Sequence, residues 1–296
     1  MLLVIAKEFE YQRPATLGEA TRILAGHPGS ARVLAGGTDL IAWLRDGAVA
    51  PDLVVDIKAI PDLHDLRIES DTLHIGGLVT FSDVIGSDVI AERAPLLAEM
   101  SETVGSTGIR NRATLAGNIC SAVPSCDAAP VLLGYDTTVH LTGPGGDRTV
   151  DLNDWFLGPR RTARTDDEIV THLTVEVPVH GGVYVKLMRY AGEDLAQAAV
   201  GIVAYPNDVY RVTFGAVAPV PFRSARIEET LRGRPLDDEL IANVVAMVGD
   251  EISPITDIRA TAAYRTRMTE VMLERGLRAA RDRLNGEGPA YGERLI

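Results

Sequence analysis

The chain has 296 residues, a formal net charge of −12 and two cysteines. A chain of that length buries about three quarters of its unfolded surface, so a core forms without disulfide or metal staples, and two cysteines do not suggest an oxidising compartment. The acidic balance excludes a nucleic-acid face, which requires clustered Lys and Arg.

In chain order, the opening "MLLVIAKEFEYQRP" carries a six-residue apolar run followed by acidic residues. It is too short and wrongly flanked for a signal peptide or membrane span, and a cytoplasmic location is expected. "TLGEATRILAGHP" predicts a helix opened by a capping box, Thr16 with Glu19, and stopped at Gly26–Pro28. Short strands at 32–35 and 53–57 flank a helix in "DLIAWLR", giving a β–α–β unit over residues 1–58. A second unit, 59–179, holds a strand "LHIGGLV", a helix "APLLAEMSETV" and strands "TVHLTG" and "IVTHLTVEVP". The turn-rich "PVHGG" separates a third unit, 180–296. There "YVKLMRY", "AAVGIVAYP" and "YRVTFGAV" read as antiparallel strands, and a long amphipathic helix runs from about Asp257 through "RAARDRL". The class is α+β. One basic cluster, Arg160 to Arg164, is answered at once by Asp166, Asp167 and Glu168 and reads as a solvated loop.

Both cysteines fall in "TLAGNICSAVPSCD", Thr114 to Asp127. Two ligands do not make a structural zinc site, no base is placed to activate a thiol, and a local disulfide is unnecessary. What marks the stretch is its small side chains, which allow a ligand to approach backbone amides, Thr and Asn. A matching element lies at "VLAGGTDL", Val33 to Leu40, where a strand runs into Gly36–Gly37 and a helix starts near Thr38 or Asp39. Amides exposed at a glycine turn and helix start form an anion site, and Asp39 is placed to cap the helix. Neither stretch is a Rossmann or Walker fingerprint. On local chemistry alone the two loops form a possible diphosphate cradle.

Taken together, "AGGTDL", then "IRNRATLAGNICSAVPSCDAAPVLL", and later "PFRSARIEETLRG" and "DIRATAAYRTRMTEVMLERGL" resemble the FAD-binding subunits of the molybdenum hydroxylases. The resemblance covers nearly the whole chain. It implies the two-subdomain FAD-binding fold of the PCMH/vanillyl-alcohol-oxidase type plus a C-terminal antiparallel sheet-and-helix domain. It implies FAD in this chain, with the diphosphate wrapped by Val33, Leu34, Ala35, Gly36, Gly37, Thr38, Asp39 and Leu40. Thr114, Leu115, Ala116, Gly117 and Asn118 would face that loop from the second subdomain. Asp127 matches an acidic contact to the adenosine half, Val170 an apolar adenine contact, Lys186 a basic residue of the site, and Leu195 a side chain over the isoalloxazine ring. Read without the resemblance, Asp127 caps the following helix, Lys186 is a solvated charge and Leu195 belongs to the core. Ala116 departs from the family's usual glycine, and two cysteines cannot hold an additional four-cysteine cluster.

The implied partners are an iron–sulfur small subunit with [2Fe–2S] clusters and a large subunit with molybdopterin, assembled as a dimer of heterotrimers. Electrons would leave through FAD to NAD⁺ or another acceptor. A free-standing FAD-dependent oxidase or dehydrogenase of the same superfamily is the alternative, and a scaffold that has lost flavin is disfavoured by the intact glycine loops.

Overall fold

The computed structural model describes residues 7–190 and 192–296; the apolar run at 1–6 lies outside the described residues. The first unit comprises β1 (Glu10–Gln12), α1 (Leu17–Ala25), β2 (Ala31–Leu34), α2 (Leu40–Arg45) and β3 (Leu53–Asp56). Its strands pair in parallel in the order β1-β3-β2. Parallel neighbours need crossovers, and α1 and α2 supply them. The central strand β3 is buried along its whole length, which explains its continuous apolar run. At α1, Thr16 Oγ1 accepts the Glu19 N–H at 3.2 Å, but the Glu19 carboxylate takes the N–H of Ala15, not of Thr16. The capping box is therefore shifted by one residue.

The second unit runs through β4 (Leu66–Glu69), β5 (Thr72–Gly76), α3 (Phe81–Ile85), α4 (Asp88–Arg93), α5 (Pro95–Glu102), α6 (Thr107–Arg110), α7 (Leu115–Ser121) and α8 (Ala128–Gly134). It continues with β6 (Thr137–Gly143), β7 (Gly146–Asp151), the short hairpin β8 (Phe156–Gly158) and β9 (Arg161–Thr162), and β10 (Ile169–Glu176). A five-stranded antiparallel sheet forms in the order β4-β5-β10-β6-β7. Alternate residues Leu73, Ile75, Val139, Leu141, Leu173 and Val175 share one core with the helices. The strand expected through Val79 ends at Gly76. A Cβ at Gly76 would overlap the Leu63 carbonyl, and one at Gly77 would sit 2.5 Å from the Val170 carbonyl, so both glycines permit a close turn against neighbouring backbone.

The third unit is β11 (Gly181–Leu187), β12 (Ala198–Tyr205), β13 (Val209–Gly215), β14 (Phe222–Arg223), α9 (Ala225–Leu231), α10 (Asp238–Ala246), α11 (Val248–Glu251) and α12 (Ala262–Leu284). Its antiparallel sheet has the order β11-β12-β13-β14. The long helix starts five residues later than the sequence pattern suggested. Asp257 Oδ1 accepts the N–H groups of Arg259 and Ala260 in a turn, and Thr261 then caps the Tyr264 N–H. The "PVHGG" break is also shorter than expected, because Gly181 and Gly182 already pair with β12. A Cβ at Gly181 would overlap the backbone of α12, so glycine here lets that helix lie directly on the sheet. Among the described residues no helix is long and apolar enough to cross a membrane.

Candidate functional site

A cavity of about 700 Å³ opens between the first and second units, with Glu193, Asp194 and Leu195 of the third closing one side. That volume lies in the range of small-molecule and cofactor sites. One wall is the loop from β2 to α2. Gly37 turns there with φ of +81°, a conformation that an L side chain resists, and a Cβ on it would come 2.8 Å from Leu34 Cδ1. Gly36 is needed for another reason. Its φ lies outside the left-handed region, but a Cβ would overlap the Arg112 carbonyl, where the second unit packs against the loop. The glycine pair thus serves unit-to-unit packing as well as any ligand. Lys58 Nζ donates to the Ala35 carbonyl at 3.3 Å and pairs with the buried Asp56 at 2.8 Å, tying the loop to the end of β3. Among the described residues, no acceptor pairs with the N–H groups of Gly36, Gly37, Thr38 or Asp39. Asp39 does not cap α2: it occupies the cap position without a side-chain hydrogen bond. Four orphan amides on a cavity wall are the expected cradle of an anionic oxygen cluster.

The facing wall is the start of α7. Thr114 Oγ1 accepts the Gly117 N–H at 2.9 Å, and Asn118 Oδ1 accepts the Ala128 N–H at 3.1 Å, which leaves the Asn118 NH₂ group to donate. Ala116 lies inside the helix with negative φ, so its methyl is tolerated. Thr114, Ala116, Gly117 and Asn118 all line the cavity; Leu115 points instead into the core. In the first loop Val33 and Ala35 to Leu40 line it, while Leu34 packs with Leu40, Leu44 and Val54.

Of the more distant expected residues, Val170 and Leu195 line the cavity, Leu195 with 47% of its surface exposed rather than in the core. Asp127 also lies on the wall, but it makes no helix-capping bond. Its Oδ1 accepts from Tyr184 Oη at 2.7 Å and its Oδ2 from Lys186 Nζ at 3.0 Å. Burial pushes the Asp127 carboxyl up, and the Lys186 ammonium and Tyr184 hydroxyl pull it back. Lys186 is neither a solvated charge nor part of the cavity wall. Its side chain is 1% exposed and also donates to the Thr103 carbonyl at 2.9 Å, so it stands behind the site and balances Asp127.

The arginine cluster is likewise not a solvated loop throughout. Arg160 and Arg164 line the cavity; the Glu168 carboxylate is held by Arg148, while Arg164 Nη1 donates to the Glu168 backbone carbonyl at 2.9 Å. Paired with Arg148 and bonded to Thr165, the Glu168 carboxyl is lowered to about 2. Both cysteines are free and line the cavity. Burial pushes the Cys120 thiol up to about 11 and the Cys126 thiol up to about 12, so both stay protonated at neutral pH and are inert as nucleophiles.

The residues therefore fit FAD: a wall of amides facing the Thr114 and Asn118 side chains for a diphosphate, apolar Val170 and Ile169 beside them, and a half-exposed Leu195 at the third unit's edge. Together with the sheet-and-helix unit, these features define a two-subdomain FAD-binding fold with a C-terminal domain. Residues 7–180 match the family described as "FAD binding domain in molybdopterin dehydrogenase", and residues 183–280 match the "CO dehydrogenase flavoprotein C-terminal domain". The chain is similar to the glyceraldehyde dehydrogenase medium chain of Sulfolobus acidocaldarius, 32% identical over 271 residues, 90% of this chain and 95% of that one. It is also similar to the carbon monoxide dehydrogenase medium chain of Afipia carboxidovorans, 32% identical over 286 residues, 95% and 99% of the two chains. Among solved structures it superposes on a chain of carbon monoxide dehydrogenase from Hydrogenophaga pseudoflava with a TM-score of 0.90 at 31% identity, covering 93% of this chain and 98% of that one. The chain belongs to the FAD-binding medium subunits of the molybdenum hydroxylase family, and it is an oxidoreductase subunit.

Proposed function

We propose that this subunit holds FAD in the cavity between its first two units. It takes electrons from a [2Fe–2S] subunit that drains a molybdopterin subunit, and hands them to NAD⁺ or another acceptor. The observation that carries the binding step is the set of orphan amides at Gly36 to Asp39, facing the start of α7 across the cavity. In this reading the loop amides and the Thr114 and Asn118 side chains hold the diphosphate, Val170 meets the adenine side, and Leu195 lies against the flavin ring. Asp127, oriented by Lys186 and Tyr184, faces the adenosine half. When bound, FAD supplies the exchange between one-electron donors and a two-electron acceptor. The chain's own residues position it, keep water from its diphosphate and supply the donors that balance its charge.

The partners follow from chemistry. Two cysteines cannot supply the four thiolates of a [2Fe–2S] cluster, so electrons arrive across an interface, which for a permanent contact buries well over about 1,000 Å². We propose a cytoplasmic dimer of heterotrimers. Gentle purification from the native host tests the reading. It expects co-elution with a large subunit carrying molybdenum and a small one carrying iron, acid-released FAD, and NADH-to-dye activity if NAD⁺ is the acceptor. A lone chain oxidising an organic substrate by itself would refute it in favour of the free-standing oxidase.

A further inference from the structure

Arg160 sits at the tip of the β8–β9 hairpin with φ of +59°, the left-handed region that non-glycine residues avoid. Its N–H donates to the Ala122 carbonyl at 2.8 Å, just past the end of α7. At the hairpin's base, buried Trp155 donates Nε1–H to the Ile119 carbonyl at 3.0 Å, so the tip is anchored twice to the helix that faces the cavity. The Arg160 guanidinium lies 5.2 Å from the centre of the Trp43 ring, within cation–π range. Trp43 belongs to α2, the helix that leaves the glycine loop, and both side chains line the cavity. The contact thus reaches from the second unit to the first across the cavity's rim. Arg160 itself is exposed on that rim, whereas the buried Arg265 and Arg283 are matched with carboxylates. Among the described residues, Arg160 makes neither an ion pair nor a side-chain hydrogen bond. A backbone held in a disfavoured conformation to present an unmatched cation is a feature of functional positions.

We propose that Arg160 and Trp43 form a clasp that closes the first two units over the cofactor and that the Arg160 charge retains the diphosphate. The inference rests on FAD binding in this cavity. Arg160 is a cofactor-retaining residue, and Trp43 holds its guanidinium on the rim.

The release of FAD from the loaded full chain after dilution, followed by recovery of flavin fluorescence, tests the clasp, alongside the melting temperature of the FAD-free chain. The variant R160G removes the side chain while installing the residue that takes a φ of +59° without strain, so the FAD-free chain should melt no lower than wild type. FAD release should be about tenfold faster or more, as expected for loss of one cation contact to an anion. It should also lose part of its acceleration by salt, which screens the wild-type contact. W43L should release FAD faster with the salt response kept, and R161A, on the neighbour that does not line the cavity, should match wild type. Wild-type protein that holds FAD while R160G releases it at the same rate would overturn the clasp alone. An R160G chain whose FAD-free form melts lower in proportion to its faster release would overturn it too, by reducing Arg160 to a structural role. Wild-type protein that never retains FAD would remove the underlying reading.

Discussion

Replacing Lys186 by Met removes the ammonium that balances Asp127 while keeping most of the apolar stem. The pair is 3.0 Å apart with side chains 1% and 7% exposed, so water cannot take the lysine's place. Breaking a buried pair by removing one partner costs about 3–5 kcal/mol, because it strands a charge; here the Tyr184 hydroxyl at 2.7 Å remains and places the cost toward the lower end. Set against a total stability of about 5–15 kcal/mol, that is a large fraction. K186M/D127L, which leaves no charge behind, should recover much of the loss, giving a coupling energy of about 2 kcal/mol between the two sites. The pH dependence has a definite sign. With the ammonium gone, burial holds the Asp127 carboxyl further above its unfolded value, so the folded chain binds a proton that the unfolded chain releases. The K186M deficit should therefore shrink at pH 5 and grow at pH 8. Urea denaturation of the four proteins at both pH values, followed by circular dichroism, measures all of this. A K186M chain within about 1 kcal/mol of wild type, or a double variant whose loss equals the sum of the singles, would sink the account of Lys186 as the counter-charge of Asp127.

Two other perturbations follow from the same geometry. Gly36→Ala puts a methyl onto the Arg112 carbonyl and 3.0 Å from Ala113 Cα, so it should destabilise by about 3 kcal/mol and weaken FAD retention; Gly18→Ala, in α1 with nothing within 4 Å, should stabilise by about 0.5 kcal/mol. Equal effects in denaturant titrations of the two variants would contradict the distinction between them. On the outer sheet His172 stacks on His140 at 4.0 Å and lies 6.0 Å from His74, and burial followed by these neighbours lowers it from 6.5 to about 4. Between those pH values the unfolded chain takes up a proton that the folded chain refuses, so stability should fall as pH falls through that window. His172→Phe should flatten that part of a melting-temperature profile, and an unchanged slope in the variant would refute the assignment.

How much of this was legible in the sequence depends on the range of the interaction concerned. The β–α–β rhythm, the Thr16 cap and the two glycine loops are local: strand, turn and helix start are set by residues within a few positions of one another, and the structure places both loops on one cavity. Arg160 and Lys186 are not local. Arg160 reads as one member of a basic run until the β8–β9 hairpin folds back onto α7 and meets Trp43, 117 residues before it in the chain by subtraction of the two numbers. Lys186 reads as a solvated charge because a strand in an antiparallel sheet usually has one wet face. In β11 all seven residues are buried, since α12 lies on the sheet and α5 also packs against the strand. The run "GGVYVKL" does carry a trace of that state, for small and apolar residues occupy both alternating faces apart from Lys186 itself. A lysine in a strand buried on both sides survives only beside a carboxylate. The matching carboxylate is Asp127, 59 positions away, and no periodicity in either segment encodes that pairing. It is set by how the third unit's sheet packs on α8 through β12 and β13, which brings Tyr184 and Lys186 of β11 to the Asp127 carboxylate on the cavity wall.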